Sequence, residues 1–253
     1  MPVPTEGSAV GVLALQGSFA EHIYALESIA SAFDPPLHVV EVRTPADLAQ
    51  CRALILPGGE STTISLLIRK SGLYEPLKAM VQEAKRGGRT ALWGTCAGMI
   101  LLAKEIEGPS SEGWEGLDGM DVRVARNQYG RQLQSFSHPF PLPFLSSALP
   151  PSATKDPLLA TFIRAPVLHT ILPSSPSLPP VEPLVRLPPD LVPSPPRALA
   201  ATGGEAERGP EADVVMARQG NLLVCSWHPE LNKGDSRVHE WWVREIVFGG
   251  KAA

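Results

Sequence analysis

The stretch "LWGTCAGMILLA", Leu92 to Ala103, decides how this chain folds. It opens with the unbroken apolar run of a buried strand and closes with apolar residues at helical spacing. At the join lies Gly94-Thr95-Cys96-Ala97-Gly98, the G-x-nucleophile-x-G pattern of a strand that turns sharply into a helix. A cysteine in that place is either a small core residue or a nucleophile raised at a turn. Cys225, inside an apolar strand pattern, and Cys51 read as core residues. The flanking glycines and the helix that starts beside Cys96 set it apart from both, because helix amides and the helix dipole favour thiolate.

Working outward, strand and helix patterns alternate. "AVGVLAL" (Ala9–Leu15) reads as a strand buried on both faces. Ser18 and Glu21 then spell a capping box, followed by Phe19, Ile23, Leu26 and Ile29 at helical spacing. "LHVVEV" predicts a strand and "TPADLAQ" a short helix, with Thr44 as cap and Pro45 at its first position. "ALILPGG" predicts the next strand, "TTISLLIRK" and "LYEPLKAMVQEAK" two helices, and Gly87-Gly88 a stop. "TALWG" gives a further strand and "AGMILLAKEI" a further helix. Alternation of this kind predicts an α/β fold: a three-layer, open, mostly parallel or mixed sheet with helices on both faces, flavodoxin-like. Sites in such sheets gather at the carboxyl ends of the strands, where both "PGGEST" and "GTCAG" fall.

After Gly108 the texture shifts to short strand-like pieces: "DVRVAR", "QLQSF", "TFIRA", "DVVMARQ" and "LLVCSW". The last two suggest a hairpin, and "RVHEWWVREIVF" a closing amphipathic helix. We expect residues 1–253 to form a single domain. The 27 prolines are unevenly spread, and 137–157 and 166–212 read as proline-rich surface insertions, partly disordered, with no regular element expected to persist in the second.

A net charge of −4 gives no basis for binding nucleic acid or an anionic membrane. No apolar run approaches the ~20 residues of a membrane span. The start "MPVPTEGSAVGVLALQG" lacks the basic region of a secretory signal, so a reducing cytosol is the expected compartment. Three scattered cysteines make neither a disulfide framework nor a zinc site. No metal and no organic cofactor is expected.

A thiol nucleophile needs a base, and the base needs an orienting group. "SWHPEL" (Ser226–Leu231) offers His228 and Glu230 two residues apart, just after a strand. Taken alone, H-P-E also fits an exposed pair at the start of a loop. His22, His138, His169 and His239 fall in helix or loop contexts and His38 opens a strand; none has an acid placed like Glu230. The Ala97 amide is placed to face an oxyanion on a substrate attached to Cys96.

The blocks "GVLALQGSFAEH", "LILPGGESTTISLL", "WGTCAGMILLAKEI", "RNQYGRQLQSF", "FIRAP" and "CSWHPEL" occur in the order found in the glutaminase subunits of pyridoxal 5′-phosphate synthase. The chain therefore resembles that branch of the class I, triad-type glutamine amidotransferases. The resemblance implies that Cys96 attacks the side-chain carboxamide of L-glutamine, with His228 moving protons and Glu230 orienting it. It implies glutamine contacts at Gly59, Glu60, Ser61, Arg126, Ile163 and Arg164. Gly58 and Ala97 would lie near the oxyanion, and Gln16 would play a supporting part. It also implies a partner: a (β/α)8-barrel synthase subunit, in a hetero-oligomer, that receives the ammonia and builds pyridoxal 5′-phosphate. Trp93 and Trp227 depart from the pattern and are expected to alter packing beside the site. Two other readings stay open at this level: an amidotransferase feeding a different ammonia acceptor, and an inactive docking or regulatory module of the same fold.

Overall fold

A computed structural model of the chain describes residues 8–107, 115–126, 135–153, 156–192 and 209–250. Its centre is a seven-stranded sheet. The parallel strands are β1 (Ala9–Leu13), β2 (Val39–Val42), β3 (Cys51–Leu56), β4 (Ala91–Thr95) and β12 (Leu222–Cys225), in the order β2-β1-β3-β4-β12. Two antiparallel strands, β11 (Val214–Gln219) and β10 (Glu182–Arg186), extend the β12 edge. This is the flavodoxin-like order with an added antiparallel flank. The expected hairpin is β11–β12, turned at Gly220 in the left-handed region.

Side chains alternate between two apolar layers. On one face Val10, Val12, Ile55, Trp93 and Leu223 pack with Leu26 of α1 (Phe19–Ile29) and with Trp241 of α6 (Arg237–Trp241), which continues as a π turn, Trp242–Val247. On the other face Leu13, Leu54, Leu56, Leu92 and Val224 pack against helices α2 (Pro45–Leu48), α3 (Ser61–Lys70), α4 (Tyr74–Lys85) and α5 (Ala97–Leu102). The helix ends follow their residues. Thr44 and Asp47 make a reciprocal capping box at α2. At α4, the amides of Gly87 and Gly88 return to the carbonyls of Ala84 and Glu83, a Schellman stop.

Two local expectations give way to tertiary structure. "AGMILLAKEI" does not continue as a helix: α5 stops at Leu102, and Ala103–Glu107 becomes β5, pairing with β6 (Met120–Ala125) in a second sheet. Strand pairing along Ala103–Glu107 outweighs a helical period that only the first half of the segment uses for burial. Ser18 precedes α1 but does not cap it, for a reason given below.

The expectation that no regular element persists in 166–212 is also corrected, and 137–157 carries regular structure as well. β7 (Phe136–Phe140) pairs with β8 (Leu158–Phe162), and Phe140, Leu142, Leu145 and Leu149 are buried in the core between prolines. β9 (Val167–Ile171) pairs with β6, and β10 forms the sheet edge, where Pro183, lacking a donor, is tolerated. Residues 193–208 of the second segment, like 127–134 of the "RNQYGRQLQSF" block, lie outside the described residues.

One buried polar cluster ties the second sheet to the first. Asp121 of β6 accepts from Lys85 Nζ at 2.8 Å and from Gln219 Nε2 at 2.8 Å, while its own amide donates to Gln219 Oε1. Burial works against the Asp121 charge, but these donors outweigh it and hold the carboxyl down at about 2. A carboxyl depressed on folding stabilises the protein above its unfolded pKa and loses that contribution as pH falls toward the folded value. Asp121→Ala, which strands the Lys85 ammonium, should cost about 3–5 kcal/mol in urea unfolding at neutral pH. That penalty should shrink as pH drops below about 4; a pH-independent penalty would contradict this account.

Candidate active site

The carboxyl ends of β1, β3, β4 and β12 converge on one point. Cys96, between β4 and α5, has φ 48° and ψ −103°, a strained backbone for a residue with a side chain. Such a conformation costs of order 1–3 kcal/mol and persists only where packing imposes it. The packing here is backbone on backbone. A Cβ on Gly98 would collide with the carbonyl of Leu56 in β3, and one on Gly94 with the carbonyl of Gly98. The Cys96 amide donates to the Cys225 carbonyl at 2.9 Å, pinning the turn to β12 as well.

His228 follows β12, and its amide donates to the Thr161 carbonyl of β8 at 2.9 Å. Its Nδ1 lies 2.7 Å from Oε1 of Glu230, which sits in the 3₁₀ turn Pro229–Leu231. A ring that gives Nδ1–H to a carboxylate leaves Nε2 for the thiol. Burial disfavours the imidazolium, but hydrogen bonds to Cys96 and Glu230 and their charges override it and lift its pKa to about 10. Burial likewise opposes the Glu230 charge, while His22, His228 and Ser18 outweigh burial and hold the carboxyl near about 2. The cysteine, the histidine and the acid therefore meet, although 132 positions separate Cys96 from His228.

The β3 loop closes over this group. A Cβ on Gly58 would run into the His228 ring, lying 2.9 Å from Nδ1 and 3.4 Å from the Cys96 Cβ. The ring is thus seated on a bare backbone. Gly59 lies against Gln16 and Gly17 of the β1 loop, and the Gln16 side-chain carbonyl accepts from the Glu60 amide at 2.9 Å. Glu60, rather than Ser61 or Thr62, caps α3: its carboxylate accepts from the Thr62 and Thr63 amides and from the Thr63 hydroxyl. Ser61 is buried beneath it. Ala97 opens α5 beside Cys96. Arg126 follows β6 and is half-buried; Ile163, half-buried, and Arg164, exposed with φ 47°, follow β8.

Several residues at this site carry no distinctive sequence signal. The Ser18 hydroxyl donates to Glu230 Oε1 at 2.5 Å, which is why it caps nothing on α1. His22, one turn further on, is fully buried, 3.4 Å from Glu230 Oε2 and 3.1 Å from Thr95 Oγ1. A serine and a histidine four apart on a helix read equally well as a cap and a core residue. Trp93 and Trp227 are both fully buried: Trp93 lies edge-on to the His239 ring at 4.9 Å, and Trp227 packs with Phe140 and Phe162.

A model of the SNO glutamine amidotransferase family matches residues 12–178 and 197–248. Pyridoxal 5′-phosphate synthase subunit SNO1 of Saccharomyces cerevisiae is 38% identical over 240 residues, covering 94% of this chain and 92% of the relative. Pyridoxal 5′-phosphate synthase subunit PdxT of Deinococcus radiodurans is 39% identical over 232 residues, covering 91% and 93%. A crystal structure of a glutamine amidotransferase matches with a TM-score of 0.69 at 35% identity, over 95% of this chain and 99% of that one.

Two expected outcomes test the geometry directly. In Cys96→Ala the His228 ring loses a hydrogen-bond partner, so its NMR titration should move down from about 10 toward the ordinary histidine range; an unmoved titration would separate the two residues. Gly58→Ala should push the ring off its seat and slow iodoacetamide alkylation of Cys96 by about 100-fold with little change in melting temperature. Unchanged alkylation would show that the ring does not depend on this seat.

Proposed function

The chain belongs to the SNO glutamine amidotransferase family, and from that premise we propose that it hydrolyses L-glutamine and passes the ammonia to a synthase subunit that makes pyridoxal 5′-phosphate. The observation that carries this reading is the meeting of Cys96, His228 and Glu230 at the carboxyl ends of β4 and β12, under the Gly58 backbone.

Cys96 Sγ, as thiolate, attacks the side-chain carbonyl carbon of glutamine. The oxygen that gains charge faces amides of the Gly58–Gly59 turn and of Ala97. His228, protonated in the thiolate–imidazolium pair, gives its proton to the departing nitrogen, and ammonia leaves a glutamyl thioester on Cys96. A water then attacks the thioester, with the now neutral His228 accepting its proton, and glutamate departs as the thiolate reforms. Glu230 stays ionised throughout, fixing the ring through Nδ1 and stabilising its charged form.

Substrate contacts follow from placement. Glu60 Oε1 takes a single backbone donor within the α3 cap, leaving acceptor capacity suited to an α-ammonium, and the cap itself fixes the direction of the carboxylate. Ser61, Arg126, Ile163 and Arg164 complete the pocket, the arginines suiting an α-carboxylate. Gln16 acts through the loop it ties down. The partner is a (β/α)8-barrel subunit in a hetero-oligomer, and the compartment is the cytosol, where the three free thiols remain reduced. No helix among the described residues is long and apolar enough to cross a membrane.

Cys96→Ser should abolish glutamate release, assayed with the synthase subunit present, while leaving complex formation intact. Retained turnover would remove Cys96 from its role. Glutamate release without transfer of ammonia to the barrel would point to a different acceptor.

A further inference from the structure

Behind the cysteine–histidine–acid group lies a second, fully buried pair of imidazoles that the reaction above does not use. His22 Nδ1 of α1 is 2.9 Å from His239 Nε2 of α6, and both rings are completely sealed from solvent. The other edge of His22 points toward the site: Nε2 lies 3.1 Å from Thr95 Oγ1 and 3.4 Å from Glu230 Oε2. Glu230 is used unevenly. Its Oε1 is engaged by both Ser18 and His228, whereas Oε2 is buried and takes no conventional hydrogen bond from the described residues.

The protonation pattern of the pair follows from its ends. His239 Nδ1 is buried with no hydrogen-bond partner among the described residues. A proton there would be a buried donor without an acceptor, a costly arrangement. His239 therefore carries its proton on Nε2 and donates it to His22 Nδ1. His22 must then carry its own proton on Nε2, aimed between Thr95 and the open oxygen of Glu230. The opposite tautomer would set a ring lone pair against a carboxylate oxygen. Both rings stay neutral at ordinary pH: burial lowers the affinity of each for a second proton, taking His239 down to about 3.

We propose that His22, locked in one tautomer by His239, is a positioning residue that turns a neutral N–H toward Glu230 Oε2 and so keeps this carboxylate ionised and aimed at His228. A neutral donor suits the place better than a cation would. It faces the buried oxygen at 3.4 Å without competing with the imidazolium of His228 for the same negative charge. The groups facing Glu230 are His22 and Ser18 from the α1 region, His228 from its own turn, Cys225 of β12, and His239 and Cys96 one step further; Glu21 acts on His22. The inference deepens the glutaminase reading and rests on it for its turnover readout alone.

The test compares His22→Gln, whose amide can reach the Nε2 position, with His22→Asn, whose amide reaches only as far as Nδ1. Both are made in the full chain. Alkylation of Cys96 by iodoacetamide, mapped by peptide mass, is followed across the acid range, and glutamate release is followed in parallel with the synthase subunit present. The acid limb of both profiles should lie near wild type for His22→Gln. For His22→Asn it should move up by about one pH unit, so that the rate on that limb falls about tenfold, with KM for glutamine little changed. An Asn profile that coincides with the Gln profile or with wild type overturns the proposal. A wild-type protein that releases no glutamate would sink the glutaminase reading, while the alkylation profiles would still decide the role of His22.

Discussion

The structure depends on one contact: the first turn of α5 pressed against the end of β3 with no side chain between them. Gly98 lies on the Leu56 carbonyl and Gly94 on the Gly98 carbonyl, so helix and strands approach more closely than any Cβ allows. That closeness forces Cys96 into its left-handed backbone and presents its sulfur at the sheet edge. The strain is of order 1–3 kcal/mol, small beside the burial of all six residues of α5. Packing energy from the core is thus converted into the orientation of one thiol.

The second constraint is that Cys96 and Glu230 come from distant parts of the chain, so their register must be set by something shared. The β12–β4 pairing supplies it, placing Cys225 opposite Thr95 and carrying His228 to the level of Cys96. The region of α1 then locks the acid from behind. Ser18 bonds Glu230, its amide bonds the Gly58 carbonyl, and His22 faces the other carboxylate oxygen. One short segment thereby fixes both Glu230 and the glycine backbone on which the His228 ring rests. Small shifts of α1 would be felt at the sulfur through both routes.

Much of this was legible in the residues, because its signals are local. GTCAG specifies an elbow, HPE places His228 and Glu230 in one turn, and PGGEST marks a strand end. The alternation of apolar runs up to Thr95 gave the parallel sheet for the same reason, each period being complete within its own segment. What stayed hidden depends on distant partners. Ser18 carries the signature of a cap, yet its hydroxyl is drawn to an acid 212 positions away. Ala103–Glu107 continues a helical period but becomes a strand because β6 is available to pair with it. β10 was masked by Pro183, which rules out a central strand but not an edge. Phe140, Leu142 and Leu145 were masked by neighbouring prolines, although their apolar side chains bury as any core residue would.

The most direct test of the central claim is covalent trapping with a chloroketone analogue of L-glutamine in the presence of the synthase subunit, followed by peptide mapping. An elbow thiol paired with His228 in a glutamine pocket predicts one label per chain, on Cys96, suppressed by excess L-glutamine. Labelling at Cys51 or Cys225, or labelling of Cys96 that glutamine does not protect, would contradict it.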